Sequence, residues 1–230
     1  MEVANKLIGY ARKGLFITIL IVMPLLGVDI KQHLAKPGKG IGYYVVKTFF
    51  KGNNATNERL VSLLKFPDKA KVVEIGFGAG DTMKYALKLA PSNSRFIGYE
   101  LSESMLKDAR ENIGASDRVD LSMRDCCAEG LPLGDNEVDV VYHANVIYFV
   151  PDPEKFMGET WRVIKPGGQL GMSIVHPKEL ANETGDSPFK NIYTQEQIKS
   201  LCLKVGFSTV TVEEFEDEWT RIRFLVVASK

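Results

Sequence analysis

A glycine-rich turn that follows an apolar segment constrains the fold of this chain more than any other feature. Residues 72–82 read VVEIGFGAGDT. The β-branched residues at the start predict a strand that is buried on both faces of a parallel sheet. Gly76, Gly78 and Gly80 allow the backbone to bend sharply and to approach a ligand without an intervening Cβ. The Asp81–Thr82 pair favours a helix N-cap, so the segment predicts a nucleotide-like ligand at the carboxyl end of the strand.

Two carboxylates indicate which kind of ligand this turn would hold. Glu74 precedes a G-x-G-x-G turn, whereas dinucleotide-binding turns usually have G-x-G-x-x-G spacing. A carboxylate at this point suits a cationic or amine-bearing ligand better than a diphosphate. A second predicted strand, residues 95–99, leads into Glu100, which is placed to accept hydrogen bonds from both hydroxyls of a ribose. A ribose, an adenine and an amino-acid ammonium without a phosphate together describe S-adenosylmethionine.

Strands and helices alternate along the chain, which predicts an α/β fold with a mostly parallel sheet. The predicted strands are residues 71–75, 95–99, 118–123, 138–142, 169–175, 207–215 and 221–228. The main predicted helices are residues 81–90, 102–113, 153–164 and 194–205. The last two strands are joined by a connection that is too short for a parallel crossover, so we expect them to pair antiparallel.

At this point the chain resembles the class I S-adenosylmethionine-dependent methyltransferases. It is most similar to their small-molecule branch, the methyltransferase type 11 domains that include ubiquinone/menaquinone C-methyltransferase-like proteins. The resemblance covers roughly residues 40–230 and is carried by VVEIGFGAGDT, IGYELSESML, MRDCCAEGLPLGDNEVDVVYHANVIYFVPDP and ETWRVIKPGGQLGMS. It implies a Rossmann-like, seven-stranded, mostly parallel sheet of order 3-2-1-4-5-7-6, with one antiparallel strand and helices on both faces.

The resemblance also implies a set of residues that line the cofactor. Glu74 would lie beside the methionine moiety, and Leu101 would pack on the adenine face. Asp125 would accept a hydrogen bond from the adenine amino group, Cys126 would offer its backbone N–H, and residues 143–144 would lie near the sulfonium. The full implied set is Glu74, Gly76, Phe77, Gly78, Gly80, Glu100, Leu101, Asp125, Cys126, His143 and Ala144.

Candidates for catalysis and acceptor binding have less support in the sequence. His143 is the one evident general-base candidate near the predicted cleft, and Tyr148 follows it by about one helical turn. Both also fit a structural role in the core. Tyr43 and Tyr44 are candidates for an aromatic wall over a substrate, and His176 would end a strand at the ligand-binding edge. Core packing for the tyrosines and a plain loop start for the histidine are the alternative interpretations.

The composition of the chain argues against several other classes of function. The chain has 230 residues, with 45% apolar and 25% charged residues and a formal net charge of zero. Because no overall basic field exists, we do not expect a nucleic-acid partner. Cys126, Cys127 and Cys202 are too few and too irregularly spaced to predict a disulfide framework or a zinc site, so no metal is expected. A reducing, cytoplasmic setting follows as the default.

The N-terminal region predicts an extension to the main domain. We expect residues 1–57 to form a helical lid or extension and residues 58–230 to form the cofactor-binding domain. Residues 15–28 are nearly all apolar and follow three basic residues, yet the segment is too short for a usual membrane span. A lid or dimer contact is the preferred interpretation; a peripheral membrane anchor and a secretory signal are the alternatives. Monomer and homodimer both remain open.

The function predicted from these features is methyl transfer from S-adenosylmethionine to a small-molecule acceptor. The acceptor atom is left open among N, O, S and C, and the reaction would be an in-line displacement. Two alternatives from other classes remain at this point. One is a non-catalytic scaffold or regulatory subunit that retains the cofactor site, and the other is a nicotinamide-dependent dehydrogenase, against which the glycine spacing argues.

Overall fold

The computed structural model describes residues 36–39, 43, 44, 47, 53–180, 191–217 and 221–230. Its strands, in chain order, are β1 Lys71–Ile75, β2 Arg95–Glu100, β3 Val119–Met123, β4 Val138–Ala144, β5 Ile164–Val175, β6 Thr209–Glu216 and β7 Ile222–Ser229. They form one seven-stranded sheet of order β3-β2-β1-β4-β5-β7-β6. The predicted sheet order is therefore confirmed.

Helices cover both faces of this sheet. The described helices are α1 Asn54–Ser62, α2 Asp81–Leu89, α3 Glu103–Ile113, α4 Cys126–Glu129, α5 Pro153–Val163, α6 Pro177–Leu180 and α7 Gln195–Val205, with a 3₁₀ helix at Ile147–Phe149. Buried residues of α1, α2 and α3 form one core cluster with the sheet. Those of α5 and α7 form a second cluster on the opposite face. Because helices bury the sheet on both faces, the central strands are apolar at almost every position.

Strand β1 lies at the centre of the sheet and pairs in parallel with β2 and β4. Val72 and Val73 are fully buried and belong to opposite core clusters, as alternation along a strand requires. The pairing aligns Ile75 with Tyr99 and Glu74 with Tyr142. The carboxyl ends of three strands therefore meet at one edge.

The antiparallel pairing of the last two strands is also confirmed, with β7 inserted between β5 and β6. One boundary differs from expectation, because β5 begins at Ile164 and not at residue 169. Ile164 pairs with Val138, and after an irregularity in register Gln169 pairs with Val140. The intervening residues 165–168, which lie between the predicted helix and the predicted strand, form a bulge within the longer strand, where Gly167 has a φ of +81°.

The helix that follows the glycine turn begins differently from the prediction. The expected N-caps Asp81 and Thr82 lie inside α2, and the N-cap is Gly80 in a left-handed conformation with a φ of +82°. The Asp81 carboxylate instead accepts a hydrogen bond from Asn112 of α3 at 2.8 Å. An added Cβ at Gly80 would lie 2.9 Å from the Cδ1 of Ile113. The turn therefore packs closely against α3 at a residue that has no side chain.

Helix α1 runs antiparallel to β5 across one face of the sheet. Just beyond its C-terminus, Leu64 packs so closely on β5 that a Cβ at Gly171 would lie 2.9 Å from the leucine side chain. At its N-terminus, Asn53 accepts a hydrogen bond from Arg223, whose register partner on β5 is Val175. The N-terminal turn of α1 therefore covers the carboxyl end of β5.

Most of the predicted N-terminal extension lies outside the described residues, including the apolar segment 15–28. The proposed division after residue 57 falls within α1 and stays a prediction. Within the described ranges, no helix combines the length and apolar character needed to cross a membrane.

The left-handed backbone conformation of Gly206, at the end of α7, can be tested by substitution. It has a φ of +115°, and an added Cβ would lie 2.9 Å from Trp161. We expect Gly206→Ala to lower the free energy of unfolding by about 1–3 kcal/mol, measured by urea denaturation.

Gly158 is the matched control, because it lies within α5 and an added Cβ would meet no heavy atom within 4 Å. Gly158→Ala should raise the free energy of unfolding by about 0.5–1 kcal/mol, since alanine favours a helix interior. Equal effects of the two substitutions would contradict the role of the left-handed conformation.

Candidate functional site

The glycine turn after β1 adopts the sharply bent backbone that the sequence predicts. Gly76, Gly78 and Gly80 have φ values of +70°, +55° and +82°. The Gly76 N–H donates to the carbonyl of Tyr99 at 2.7 Å, which ties the turn to β2. A Cβ at Gly76 would lie 2.6 Å from Val146, whereas one at Gly78 would meet nothing within 4 Å. The turn is therefore packed at its first glycine and open at its second.

Glu100 closes the other side of this opening. Its carboxylate is buried and accepts three backbone hydrogen bonds, from Gly78 at 2.9 Å, Leu101 at 2.8 Å and Ser102 at 3.0 Å. Burial raises the pKa of Glu100, although these three amides act in the opposite direction. A carboxylate has about four acceptor sites, so three amides leave little spare capacity.

Other predicted cofactor residues take positions around the same edge. Asp125 is the N-cap of α4 and accepts from the amides of Cys127 and Ala128 through one oxygen, Oδ1. Cys126 is buried at the start of that helix. The side chain of Phe77 packs into the core against Gly98, so only its backbone faces the turn.

Glu74 is almost completely buried and is bonded to a tyrosine that was not predicted. The hydroxyl of Tyr142 donates to Glu74 Oε2 at 2.8 Å. Burial raises the pKa of Glu74 to about 8, and the charges of Glu100 and Asp81 act in the same direction against the Tyr142 hydrogen bond. The carboxyl group therefore holds a proton at neutral pH in the absence of a cation nearby.

His143 points away from this edge into the core. The side chain is completely buried, and its ring lies edge-on to Phe156 with 5.5 Å between centroids. Neither ring nitrogen has a hydrogen-bond partner within the described part of the chain. Burial lowers the pKa of His143 to about 3, so the ring is neutral. Its neighbour Ala144 ends β4 and is partly exposed.

Tyr148 lies in the 3₁₀ helix after β4 and is also buried. Its hydroxyl accepts a hydrogen bond from the Val175 amide. Burial raises the pKa of Tyr148, while Arg223 opposes that shift. The hydroxyl is therefore a connector between β4 and the end of β5, and its role in orienting a substrate stays a prediction.

Tyr43 and Tyr44 lie beside α3, away from the end of β4. Tyr43 is buried and its hydroxyl bonds to Asp108, which also pairs with Lys47. Tyr44 is exposed, and the two rings meet edge to face with centroids 5.4 Å apart. A further contact places the segment near Glu100, because the hydroxyl of Ser102 donates to the carbonyl of Pro37. Pro37 thus lies close to the residues that directly follow β2.

His176 follows β5 and faces the outer strands. Its ring lies 4.6 Å from that of Phe224, and its Nδ1 accepts from the Lys178 amide at 3.0 Å. Its Nε2 is 4.0 Å from a carboxylate oxygen of Glu214. The structure therefore does not bring His176 together with Tyr43 and Tyr44, and a substrate role for these three residues stays a prediction.

A buried polar cluster beside β4 was missed by the sequence analysis. It comprises Asn53, Asn145, Asp217, Arg221 and Arg223. Although Asp217 lies in a run of acidic residues near the β6–β7 connection, its side chain is buried against both arginines. The one available signal was the alternation of two arginines at the start of an apolar strand, which places both on one face.

Two other observations concern the cysteines and metals. Cys126, Cys127 and Cys202 are free thiols. Within the described ranges, no three side chains of the histidine, cysteine or carboxylate type converge as they would around a metal ion.

The geometry fits an adenosyl ligand that carries a cationic amino-acid tail. The backbone at Gly78 is open on its Cβ side, and its amide donates to a buried carboxylate at the end of β2. A second buried carboxyl group lies at the end of β1 without a cation beside it among the described residues. Glu74, Glu100 and the glycine turn are brought together, with Leu101 and Ala144 flanking them.

Comparison with known proteins identifies a methyltransferase domain in this chain. Residues 73–172 match the profile of a methyltransferase domain family. The chain is 25% identical over 167 residues to an arsenite methyltransferase of Halobacterium salinarum, covering 67% of this chain and 43% of the relative. It is 33% identical over 103 residues to a ubiquinone/menaquinone biosynthesis C-methyltransferase of Cronobacter sakazakii, covering 44% and 40%. The chain thus spans less than half the length of these curated relatives.

A solved structure agrees at the level of the fold. A SAM-dependent methyltransferase from Aquifex aeolicus superposes with a TM-score of 0.58 at 22% identity, covering 75% of this chain and 88% of the other. The matched profile includes the last three residues of β1, the glycine turn, Glu100 and the end of β4. The profile match identifies a methyltransferase domain over residues 73–172, and the strand order agrees with the fold expected of the class I S-adenosylmethionine-dependent methyltransferases.

Proposed function

We propose that this protein transfers the methyl group of S-adenosylmethionine to a small-molecule acceptor. The observation that carries the proposal is the open space beside Gly78, whose amide donates to the buried carboxylate of Glu100 at the carboxyl edge of the sheet. In open α/β sheets, ligands bind outside the carboxyl ends of the strands. Family membership implies the cofactor, and the buried acids at this edge support it.

Glu100 would bind the ribose. Three amides already occupy most of its acceptor capacity, and two of them belong to the directly following residues. The Gly78 amide comes from the glycine turn, so we propose that a ribose hydroxyl replaces this hydrogen bond. Asp125 Oδ2, which accepts no hydrogen bond within the described part of the chain, would serve the adenine amino group.

Glu74 would bind the amino-acid part of the cofactor. Its carboxyl group is protonated when alone, and a cation beside it would favour the ionised form. Tyr142 holds the carboxyl group in place through the 2.8 Å hydrogen bond. Glu74 would therefore lose its proton and become negatively charged when a cation binds beside it.

The bound cofactor supplies an activated methyl group on a sulfonium, so the protein needs mainly to align the acceptor and to exclude water. Correct alignment alone can contribute on the order of 7–11 kcal/mol. We favour this route over base catalysis by His143, because that ring is buried and neutral in the core. A base is needed only where the acceptor must lose a proton early.

The acceptor differs among the relatives, which are named for arsenite and for quinone biosynthesis. They support a small molecule as the acceptor without identifying the atom that is attacked. A scaffold that binds the cofactor without turnover is the remaining alternative. Transfer of label from S-[methyl-³H]adenosylmethionine to any member of an acceptor panel would exclude it.

The role of Glu100 can be tested by substitution. We expect Glu100→Ala to weaken S-adenosylmethionine binding about tenfold or more, because two charge-assisted hydrogen bonds to the ribose are lost. The dissociation constant is measured by isothermal titration calorimetry. Glu100→Gln should weaken binding less, because it retains one acceptor oxygen and the shape of the side chain.

Glu103→Ala is the matched control, because this glutamate is exposed in the first turn of α3. Thermal unfolding of each variant separates loss of the ribose contact from loss of the fold. A folded Glu100→Ala protein with an unchanged dissociation constant would remove the ribose assignment.

The raised pKa of Glu74 predicts that cofactor binding is coupled to proton release. Because burial raises its pKa to about 8 in the ligand-free protein, binding of a cation at pH 7 should displace its proton. Affinity for S-adenosylmethionine should therefore rise as the pH increases toward 8. Calorimetry at pH 7 in phosphate and in Tris, whose ionisation enthalpies differ, counts the protons released.

Glu74→Gln should reduce the proton release and weaken the pH dependence of binding. Titration of the ligand's own amino group is the same for both proteins, so the difference between them reports on Glu74. Identical proton release by the two proteins would mean that the cationic group of the cofactor does not bind beside Glu74.

A further inference from the structure

The cluster around Arg223 has no part in the cofactor site described above. Arg221 is committed to neighbours at the start of β7, where its Nε lies 2.8 Å from Asp217 Oδ2 and its Nη2 lies 2.8 Å from Asn53 Oδ1. Asp217 thus forms its close ion pair with Arg221. Arg223 Nε is 3.6 Å from the same carboxylate oxygen.

Arg223 is buried without a close carboxylate of its own among the described residues. It is 3% exposed, and its two terminal nitrogens donate to the neutral amide oxygens of Asn145 at 3.1 Å and Asn53 at 3.0 Å. Its Nε has no hydrogen-bond partner within the described part of the chain. A buried cation in this state is unfavourable, because its desolvation is incompletely compensated.

Hydroxyl groups without hydrogen-bond partners lie on the same face of the sheet. Ser173 pairs with Leu225 and Val175 pairs with Arg223, so Ser173 and Arg223 are diagonal neighbours on one face. Thr56 lies one turn along α1 from Asn53, which bonds to Arg223. The hydroxyls of Ser173 and Thr56 are both buried, and neither has a partner within the described ranges. Buried polar groups normally find partners, so this concentration indicates a ligand.

This group of side chains adjoins the edge where the cofactor would lie. Asn145, which holds Arg223, directly follows Ala144 at the end of β4. Asn145 has a φ of +58°, a left-handed conformation that is uncommon outside glycine. Its N–H donates to the carbonyl of Ser173 at 2.9 Å. Asn145 thus links Arg223 to the predicted position of the methyl donor.

We propose that Arg223 binds a carboxylate of the methyl acceptor, with Ser173 and Thr56 as additional donors. The inference rests on the proposed function, because it assigns the substrate class of the same site. A carboxylate matches the planar guanidinium fork, accepts hydrogen bonds from hydroxyls and supplies a second negative charge where Arg221 and Arg223 share the carboxylate of Asp217. A purely structural link between α1 and β7 would explain the bonds to Asn53 but not the Nε and hydroxyl groups left without partners.

The test uses small anions as probes, since the natural acceptor is unidentified. Binding of acetate, benzoate, phenyl phosphate and benzamide to the full chain is followed by protein-observed NMR titration, with and without saturating S-adenosylhomocysteine. We expect benzoate to bind at least about tenfold more tightly than benzamide, which has the same shape without the charge. Phenyl phosphate should bind more weakly than benzoate.

Variants assign the binding to this site. Arg223→Met should weaken benzoate binding about tenfold or more, and Ser173→Ala should weaken it about threefold. Ser173→Ala is a small change that keeps the test informative if Arg223→Met does not fold. Arg59→Met is the matched control, because this arginine pairs with Glu213 on the surface and should leave benzoate binding unchanged.

Each outcome decides the proposal. Equal binding of benzoate and benzamide, no binding of any probe, unchanged binding in Ser173→Ala and Arg223→Met, or a preference for phenyl phosphate would overturn the carboxylate assignment. Calorimetric binding of S-adenosylhomocysteine is measured separately. If it binds while the anions do not, the methyltransferase proposal stands and the acceptor proposal falls. If only the anions bind, the anion site stands, but the methyltransferase proposal falls and with it the assignment of the anion as a methyl acceptor.

Discussion

The parallel pairing of β1 with β2 and β4 is the constraint on which the rest of this structure depends. Parallel strands must be joined by crossovers, so their carboxyl ends all open on the same edge of the sheet. Glu74, Glu100 and Asn145 reach that edge from three different strands. The antiparallel β7 then brings Arg223 to the same edge from the opposite chain direction. A site with acids at one end and a guanidinium at the other follows from this topology.

The fold was largely predictable because its signals are local. The apolar run before Gly76, the glycines that end α3 and α7, and the short connection before β7 each specify nearby backbone. The errors have physical reasons. Gly80 and not Asp81 caps α2, because close packing on Ile113 needs a residue without a Cβ in a left-handed conformation. The early start of β5 depends on a pairing with Val138, which no local pattern encodes.

The site was predictable only where one motif carries the chemistry. Glu100 and the glycine turn are close in sequence and fulfil the geometry expected of them. Arg223 contacts Asn53, 170 residues away, so the pairing depends on how α1 lies across the sheet. For His143, the residue type and its position in the structure point in different directions. Its residue type suggests a base, yet strand alternation turns the ring to the core face while Tyr142 faces Glu74. The type of a residue is therefore a weak guide to a catalytic role unless the face of the strand on which its side chain lies is also known.

The separation of charge along the edge has a consequence for how two ligands would be arranged. Burial makes an unpaired charge unfavourable, so Glu74 keeps its proton while Arg223, which cannot lose one, stays charged. A cation is therefore favoured at the β1 end and an anion at the β7 end. Ala144 and Asn145 lie between these two ends, at the end of β4. A positively charged methyl donor and a negatively charged acceptor would each be held by the group of opposite charge, and their reacting atoms would face each other over β4. Electrostatics alone would then set the order of the two ligands along the sheet, before any shape complementarity is considered.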